Sequence, residues 1–107
     1  MKVMFITAAT FTIPWFREDM LKEFARRADE VIVLGDESLE KWDEYFAAIN
    51  VRYLPYHVSR NGLSPAEDIK TYRELCRLIK QEKPDKVLTN FVKANVYGCI
   101  AAHKADI

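Results

Sequence analysis

The sequence has few of the residues that build the commonest nucleotide and metal sites. Only three glycines occur among 107 residues: Gly35, Gly62 and Gly98. Their spacing excludes the dinucleotide-binding glycine fingerprint and the phosphate-binding loop of nucleotide hydrolases. The two histidines, His57 and His103, and the absence of a Cys-x-x-Cys pair leave no metal site of standard spacing. We therefore expect neither a metal nor a cofactor.

Cysteine, net charge and long apolar runs are also scarce. Two cysteines, Cys76 and Cys99, give no disulfide framework, and without an export signal they favour a reducing, cytoplasmic compartment. The longest apolar runs, at 3–6 and 31–34, fall far short of the ~18 residues of a membrane-spanning helix. Sixteen basic and sixteen acidic residues give zero net charge, which argues against a nucleic-acid partner. Half of the residues are hydrophobic, enough for one compact domain.

Strand-like and helix-like segments alternate along the chain. Apolar runs predict strands at 2–8, 31–34, 51–57 and 85–90, and helical spacing predicts helices at 15–28, 39–49, 65–83 and 95–104. Alternation of this kind predicts right-handed crossovers and a parallel sheet covered on both faces. We expect a Rossmann-like three-layer α/β fold with strand order 3-2-1-4. Pro55 places the third strand at an edge, because proline cannot donate to a central ladder.

Local signals refine the two middle helices. Residues 36–38 (Asp-Glu-Ser) are expected to cap the helix at 39–49. The residues at 64–67 (Ser-Pro-Ala-Glu) predict a capping box with Pro65 at the first helical position. The inward stripe of the helix that follows is predicted to consist of four residues, flanked by Leu75 and Leu78: Ile69, Tyr72, Cys76 and Ile79.

Ligands of such sheets bind beyond the carboxyl ends of the strands, near the point where the strand order reverses. The cations Arg17, Arg60 and Lys93 fall in segments predicted to lie there, and together they suit an anionic ligand. The second half of the chain, residues 55–107, also carries nine basic against six acidic residues. Each of the three cations can equally be an ordinary solvated surface residue.

Aromatic residues crowd the segment after the first strand. Phe11, Trp15 and Phe16 lie within six positions of one another. A cluster in a mouth loop suits a lipid, a sugar or a membrane interface. The alternative is that Trp15 and Phe16 anchor the first helix to the core.

Two stretches carry a resemblance to a known family. Residues 60–65 (Arg-Asn-Gly-Leu-Ser-Pro), followed by Asp68, resemble the R-N-G-L-x-P-x-x-D stretch of certain bacterial glycosyltransferases. Residues 83–98 are similar to their K-P-D-x-V-L-T-x-x-x-K-P-N-x-Y-G segment, with Ala94 in place of the second proline. The family is glycosyltransferase family 4, in the branch that builds capsular polysaccharide, lipopolysaccharide and undecaprenyl-linked glycans.

The resemblance implies a GT-B enzyme, with two Rossmann-like domains facing across a cleft. Residues 1–107 match only the N-terminal, acceptor-binding domain, which we expect to be incomplete and to lack the C-terminal domain that binds the nucleotide sugar. The implied acceptor is a sugar on a polyprenyl diphosphate, and the implied location is the inner face of the cytoplasmic membrane. Six residues are implied in acceptor binding: Arg17, Arg60, Asn61, Lys93, Asn95 and Tyr97. Phe11 and Trp15 are implied in lipid or membrane contact.

We assign no catalytic residue to this chain and expect it to transfer nothing alone. Glu74 and Glu82 are eight apart, like the paired glutamates of the family's other domain, but one amphipathic helix carries both and we expect them to be exposed surface charges. Two alternatives to a part of one polypeptide stay open. The chain can be the binding subunit of a split glycosyltransferase, or a small flavodoxin-like regulatory domain, although residues 7–10 (Thr-Ala-Ala-Thr) lack that domain's acidic cluster or phosphate loop.

Overall fold

The computed structural model describes residues 1–57 and 65–90, together with residue 103. Four strands form one parallel sheet in the order β3-β2-β1-β4. Their bounds are β1 Lys2–Thr7, β2 Glu30–Gly35, β3 Arg52–Pro55 and β4 Lys86–Asn90. The predicted fold class and strand order are confirmed, including the edge position of the strand that contains Pro55. The predicted helix at 95–104 lies outside the described residues, apart from His103.

Helices flank the sheet, and the first of them differs from its prediction. After a 3-10 turn at Thr10–Thr12, the helices are α1 Ile13–Phe16, α2 Glu18–Arg27, α3 Leu39–Ala48 and α4 Pro65–Glu82. The single helix predicted at 15–28 is therefore two, separated at Arg17, whose backbone leaves the helical region with φ −124°. Pro14 lies in the first turn of α1, where a missing N–H costs nothing.

Each face of the sheet carries one apolar cluster. Alternate residues of β1 and β2 point to opposite faces, so both strands are buried on both sides. One cluster lies beneath α4 and is centred on Met4, Ile6, Ile32 and Leu34. In the other cluster, which lies beneath α1, α2 and α3, Phe46 stacks on Tyr53 with ring centroids 5.0 Å apart. The buried residues of this second cluster are Val3, Phe5, Ile13, Leu21, Val31, Val33, Phe46, Val51 and Tyr53.

The inward face of α4 is rotated from its predicted position. Ile69, predicted to face inward, is 53% exposed. Leu75 and Leu78, predicted as flanks, are buried together with Ile79, while Tyr72 and Cys76 are only partly buried and pack against that cluster. Thr71 is buried as well, so a polar residue replaces the expected isoleucine in the buried stripe. The prediction from hydrophobicity alone therefore rotated the buried stripe of α4 by part of a helical turn.

The amino end of the sheet carries an ion-pair network that corrects the prediction for Glu82. This carboxylate is buried at the end of α4 and accepts from Arg52 Nη1 at 2.9 Å and from Lys2 Nζ at 3.2 Å. Glu30 bridges the same two cations, at 2.6 Å from Arg52 and 3.2 Å from Lys2. The first residues of the neighbouring strands β1, β2 and β3 are Lys2, Glu30 and Arg52. The network therefore joins α4 to β1, β2 and β3, and Glu82 is not an exposed surface charge.

Candidate functional site

The register of the sheet defines its carboxyl edge. Thr7 of β1 pairs with Asn90 of β4, and Gly35 of β2 pairs with Pro55 of β3. The carboxyl ends of the four parallel strands therefore lie on one side of the sheet. The connection from β3 to β4 crosses past β2 and β1, so the strand order reverses between β1 and β4. In open parallel sheets this is where ligands bind.

The segment after β1 is fastened to β2 and β3 by a hydrogen-bond network. Thr10 is fully buried, and its backbone N–H and its hydroxyl both donate to Asp36 Oδ1 at 2.8 Å. The Asp36 N–H donates in return to Thr10 Oγ1 at 3.1 Å. The Tyr53 hydroxyl lies 3.2 Å from Thr10 Oγ1, donates to the Glu37 carbonyl at 2.7 Å and accepts from the Glu37 N–H at 3.2 Å. We call Thr10, Asp36 and Tyr53 the loop latch.

The latch leaves no room for a side chain on Gly35. A Cβ there would lie 2.2 Å from Thr10 Oγ1 and 2.5 Å from the Tyr53 hydroxyl, both far inside van der Waals contact. Burial raises the pKa of the Tyr53 phenol, and the polar contacts with Thr10 and the Glu37 backbone only partly offset this effect, so the hydroxyl keeps its proton at neutral pH. A second tyrosine, Tyr56, donates to the Thr7 carbonyl at 2.9 Å and holds the end of β1.

These contacts replace the capping predicted for α3. Ser38 occupies the N-cap position of that helix, but its side chain makes no capping hydrogen bond. The Asp36 carboxylate bonds to Thr10 instead. Sequence reasoning treated 36–38 as helix-capping residues and did not identify the latch. The available signal was an aspartate directly after a buried strand, at the edge where ligands bind.

Two aromatic side chains project from the segment that the latch holds. Trp15 of α1 is 81% exposed and Phe11 of the 3-10 turn is 50% exposed. Between them Ile13 is fully buried and anchors α1 to the core beneath it. Trp15 is therefore not the core anchor of the first helix. The side chain of Phe16 lies outside the described part of the structure.

Arg17 differs from every other cation in residues 1–57. The six other lysines and arginines of this range form ion pairs: Lys2, Lys22, Arg26, Arg27, Lys41 and Arg52. Within the described residues Arg17 forms none. It is partly exposed and lies two positions after Trp15, at the junction of α1 and α2. A guanidinium without a carboxylate partner is available to an anionic ligand.

The other predicted acceptor-binding residues lie outside the described part of the chain: Arg60, Asn61, Lys93, Asn95 and Tyr97. Their neighbours His57 and Asn90 end the described segments after β3 and at the end of β4. Within the described residues, no cluster of three or more histidines, cysteines and carboxylates is suited to a metal ion. The same residues include no helix with the length and hydropathy needed to cross a bilayer.

Comparison with known proteins shows similarity to a curated enzyme and to a solved structure. The chain is 26% identical over all 107 residues to the N,N'-diacetylbacillosaminyl-diphospho-undecaprenol alpha-1,3-N-acetylgalactosaminyltransferase of Campylobacter jejuni, of which it spans 28%. Its structure matches MurG of Acinetobacter baumannii with a TM-score of 0.66 and 21% identity, over 99% of this chain and 33% of MurG. No family model matches the sequence.

These similarities bear on the fold and on the resemblance found in the sequence. The match to MurG shows that the sheet and helices form a Rossmann-like domain of the GT-B type. The chain spans 28% of the curated relative and 33% of MurG, so each similarity concerns one part of a longer protein. The predicted resemblance to bacterial glycosyltransferases is confirmed by the curated relative, with which all 107 residues of the chain align.

Proposed function

We propose that this chain is the acceptor-binding part of a bacterial glycosyltransferase. The complete enzyme transfers a sugar from a nucleotide sugar to a glycan carried on a polyprenyl diphosphate, in the synthesis of capsule or another cell-surface polysaccharide. Support comes from 26% identity over all 107 residues to an enzyme whose name specifies a diphospho-undecaprenol acceptor, although the chain spans only 28% of that enzyme. The observation that carries the proposal is an exposed Trp15 two positions before Arg17, which forms no ion pair within the described residues, on the segment that follows the carboxyl end of β1.

The acceptor's chemistry suits these side chains. A polyprenyl diphosphate joins a strongly anionic group to an apolar chain, so its binding site needs cations beside apolar surface. Arg17 supplies charge-assisted hydrogen bonds to the diphosphate. Arg60 and Lys93 are proposed to add to this charge, and Asn61, Asn95 and Tyr97 to contact the acceptor sugar. Phe11 and Trp15 are proposed to contact the lipid or the membrane surface at the cytoplasmic face.

Transfer requires groups that this chain is not proposed to supply. The nucleotide diphosphate leaves with negative charge, and a catalyst must stabilise that charge as it develops. We assign this task to a donor-binding domain that completes the cleft, on the same polypeptide or on a separate subunit. The chain alone is therefore expected to bind acceptor and to transfer no sugar. Co-purification with a separate donor-domain chain would favour the split-enzyme form.

Titration calorimetry tests the proposal. The chain is titrated separately with a short-chain polyprenyl diphosphate sugar, a nucleotide sugar and flavin mononucleotide. We expect saturable binding of the first ligand alone, and Arg17→Gln should weaken it about tenfold, the loss of one charge-assisted hydrogen bond. Arg26→Gln is the matched control, because Arg26 lies on the adjoining helix and is paired with Glu23.

Each other outcome contradicts a stated part of the proposal. Binding of the nucleotide sugar in place of the lipid analogue would reverse the domain assignment. Binding of flavin mononucleotide would favour the flavodoxin-like alternative. Equal affinity of Arg17→Gln and Arg26→Gln for the lipid analogue would remove Arg17 from the site while leaving the domain assignment standing.

A further inference from the structure

We propose that the loop latch positions the lipid-contact surface, so that Thr10 and Tyr53 control membrane binding without touching lipid. The inference rests on the proposed function, specifically on lipid contact by Phe11 and Trp15. Thr10 is fully buried and Tyr53 is 4% exposed, so neither side chain reaches a ligand at the surface. Any effect of these residues on binding must pass through the segment that they hold.

The latch is built to fix one short stretch of backbone. Thr10 begins the 3-10 turn that carries Phe11, and α1 with Trp15 follows directly. Besides its bonds to Asp36, the segment is closed by the Thr12 hydroxyl, which donates to the Ala9 carbonyl at 2.8 Å. The Ala9 N–H in turn donates to Thr7 Oγ1 at 3.1 Å. The only tie in this set to β3 is the Tyr53 hydroxyl, which also holds Glu37 through two bonds.

A fixed segment favours binding because its order is established before the lipid arrives. A flexible aromatic loop loses conformational freedom when it enters a membrane interface, and that loss weakens the affinity. The latch ties the segment to Asp36, which directly follows β2, and to Tyr53, the buried residue of β3. We infer that Thr10 and Tyr53 are positioning residues for the lipid-contact surface and that Trp15 and Phe11 are the contacting residues.

Vesicle partition of three variants tests this inference. Thr10→Val removes the threonine hydroxyl with little change of shape, and Thr10→Ser keeps a hydroxyl at this position. Tyr53→Phe removes the phenol hydroxyl that β3 contributes to the latch. All are made in a Trp42→Phe background, so that emission reports Trp15 alone among the two tryptophans. Vesicles contain equal parts of phosphatidylcholine and phosphatidylglycerol. Hydrogen exchange over residues 8–17 and circular dichroism are recorded for each variant.

We expect Thr10→Val and Tyr53→Phe to partition about fivefold more weakly, roughly the weight of one hydrogen bond, with faster exchange over residues 8–17 and native circular dichroism. Thr10→Ser should restore binding to within about twofold. The matched control is Tyr72→Phe, which removes a hydroxyl from α4 on the opposite face of the sheet. This variant should change neither vesicle partition nor hydrogen exchange over residues 8–17.

The outcomes separate this inference from the function it rests on. Failure of the unmutated chain to bind vesicles overturns the proposed lipid contact and the latch inference together. Equal binding by the unmutated chain and both hydroxyl-deletion variants overturns the latch inference alone. If Thr10→Val fails to fold, the other two variants still test the inference. Weakened vesicle binding by Tyr53→Phe together with unchanged binding by Thr10→Ser supports the latch inference, and unchanged binding by Tyr53→Phe refutes it.

Discussion

Replacement of Trp15 by alanine should weaken membrane binding strongly, and the size of the effect follows from the structure. A tryptophan side chain covers about 200 Å² and 81% of Trp15 is exposed, so roughly 160 Å² is available to a membrane. If about half of that area leaves water at the interface, the transfer contributes about 2 kcal/mol at ~25 cal/mol per Å². The partition coefficient onto anionic vesicles should therefore fall about thirtyfold.

The measurement is centrifugation of the chain with sucrose-loaded vesicles over a range of lipid concentrations. Trp42→Phe is the control, because Trp42 lies partly buried against Tyr45 and Phe46 in α3 and should not meet lipid. Urea unfolding of both variants checks that the fold is intact. A change of less than about threefold for Trp15→Ala, or an equal change for both tryptophans, would refute the lipid-contact assignment.

Three further predictions concern the fold that carries the site. Glu82→Gln should lower the free energy of unfolding by about 1–2 kcal/mol at pH 7, whereas Glu74→Gln on the same helix should change it by less than about 0.5 kcal/mol. Burial raises the pKa of Glu82, but hydrogen bonds from Arg52, Gln81 and Lys2 outweigh it and the pKa lies below its usual range. A lowered pKa in the folded chain stabilises it only above the ordinary glutamate pKa of about 4, so the deficit should shrink as the pH falls below that value. A deficit of the same size in urea titrations at pH 7 and pH 3.5 would contradict this. Gly35→Ala should lower the free energy of unfolding by about 1–3 kcal/mol, because the added methyl group collides with the latch. Amide hydrogen exchange of this variant should rise first over residues 8–17. Phe46→Ala should cost about 3–5 kcal/mol in thermal unfolding, since the ring is fully buried, and a loss below about 1 kcal/mol would show that the site collapses without a cavity.

The topology of the sheet followed from the sequence because its signals are local and redundant. β1 and β2 are continuous apolar runs, which parallel strands buried on both faces require. Pro55 placed β3 at an edge, and Pro65 and Pro84 bounded α4. The strand order 3-2-1-4 was then expected from the doubly wound arrangement typical of this alternation, and right-handed crossovers limited the alternatives.

The errors arose where tertiary contacts override local pattern. Glu82 reads as a surface charge at the end of an amphipathic helix, and only folding brings it between Lys2 and Arg52, which are 80 and 30 positions away in sequence. The face of α4 was misjudged because Ile69 is more hydrophobic than Thr71, yet Thr71 is the residue that is buried. Neither outcome leaves a signal in a single sequence.

For the candidate site, too, local sequence signals predicted one part, and tertiary contacts determined the other. The sequence singled out Arg17, Phe11 and Trp15 because residue type and position after β1 both pointed to the ligand-binding edge. It did not separate an exposed Trp15 from a buried one, since a tryptophan in the first turn of a helix suits either place. The latch was not predicted, because its partners Thr10, Asp36 and Tyr53 are separated by 26 and 43 positions.

The central claim is that this chain holds the acceptor and leaves the nucleotide sugar to another domain. The most direct test is a map of amide chemical-shift changes in the isotope-labelled chain, recorded with a short-chain polyprenyl diphosphate sugar and then with a nucleotide sugar. We predict changes with the lipid analogue that are largest at residues 11–17, 60–61 and 93–97, and none with the nucleotide sugar. Shifts at those positions with the nucleotide sugar, and none with the lipid analogue, would contradict the claim.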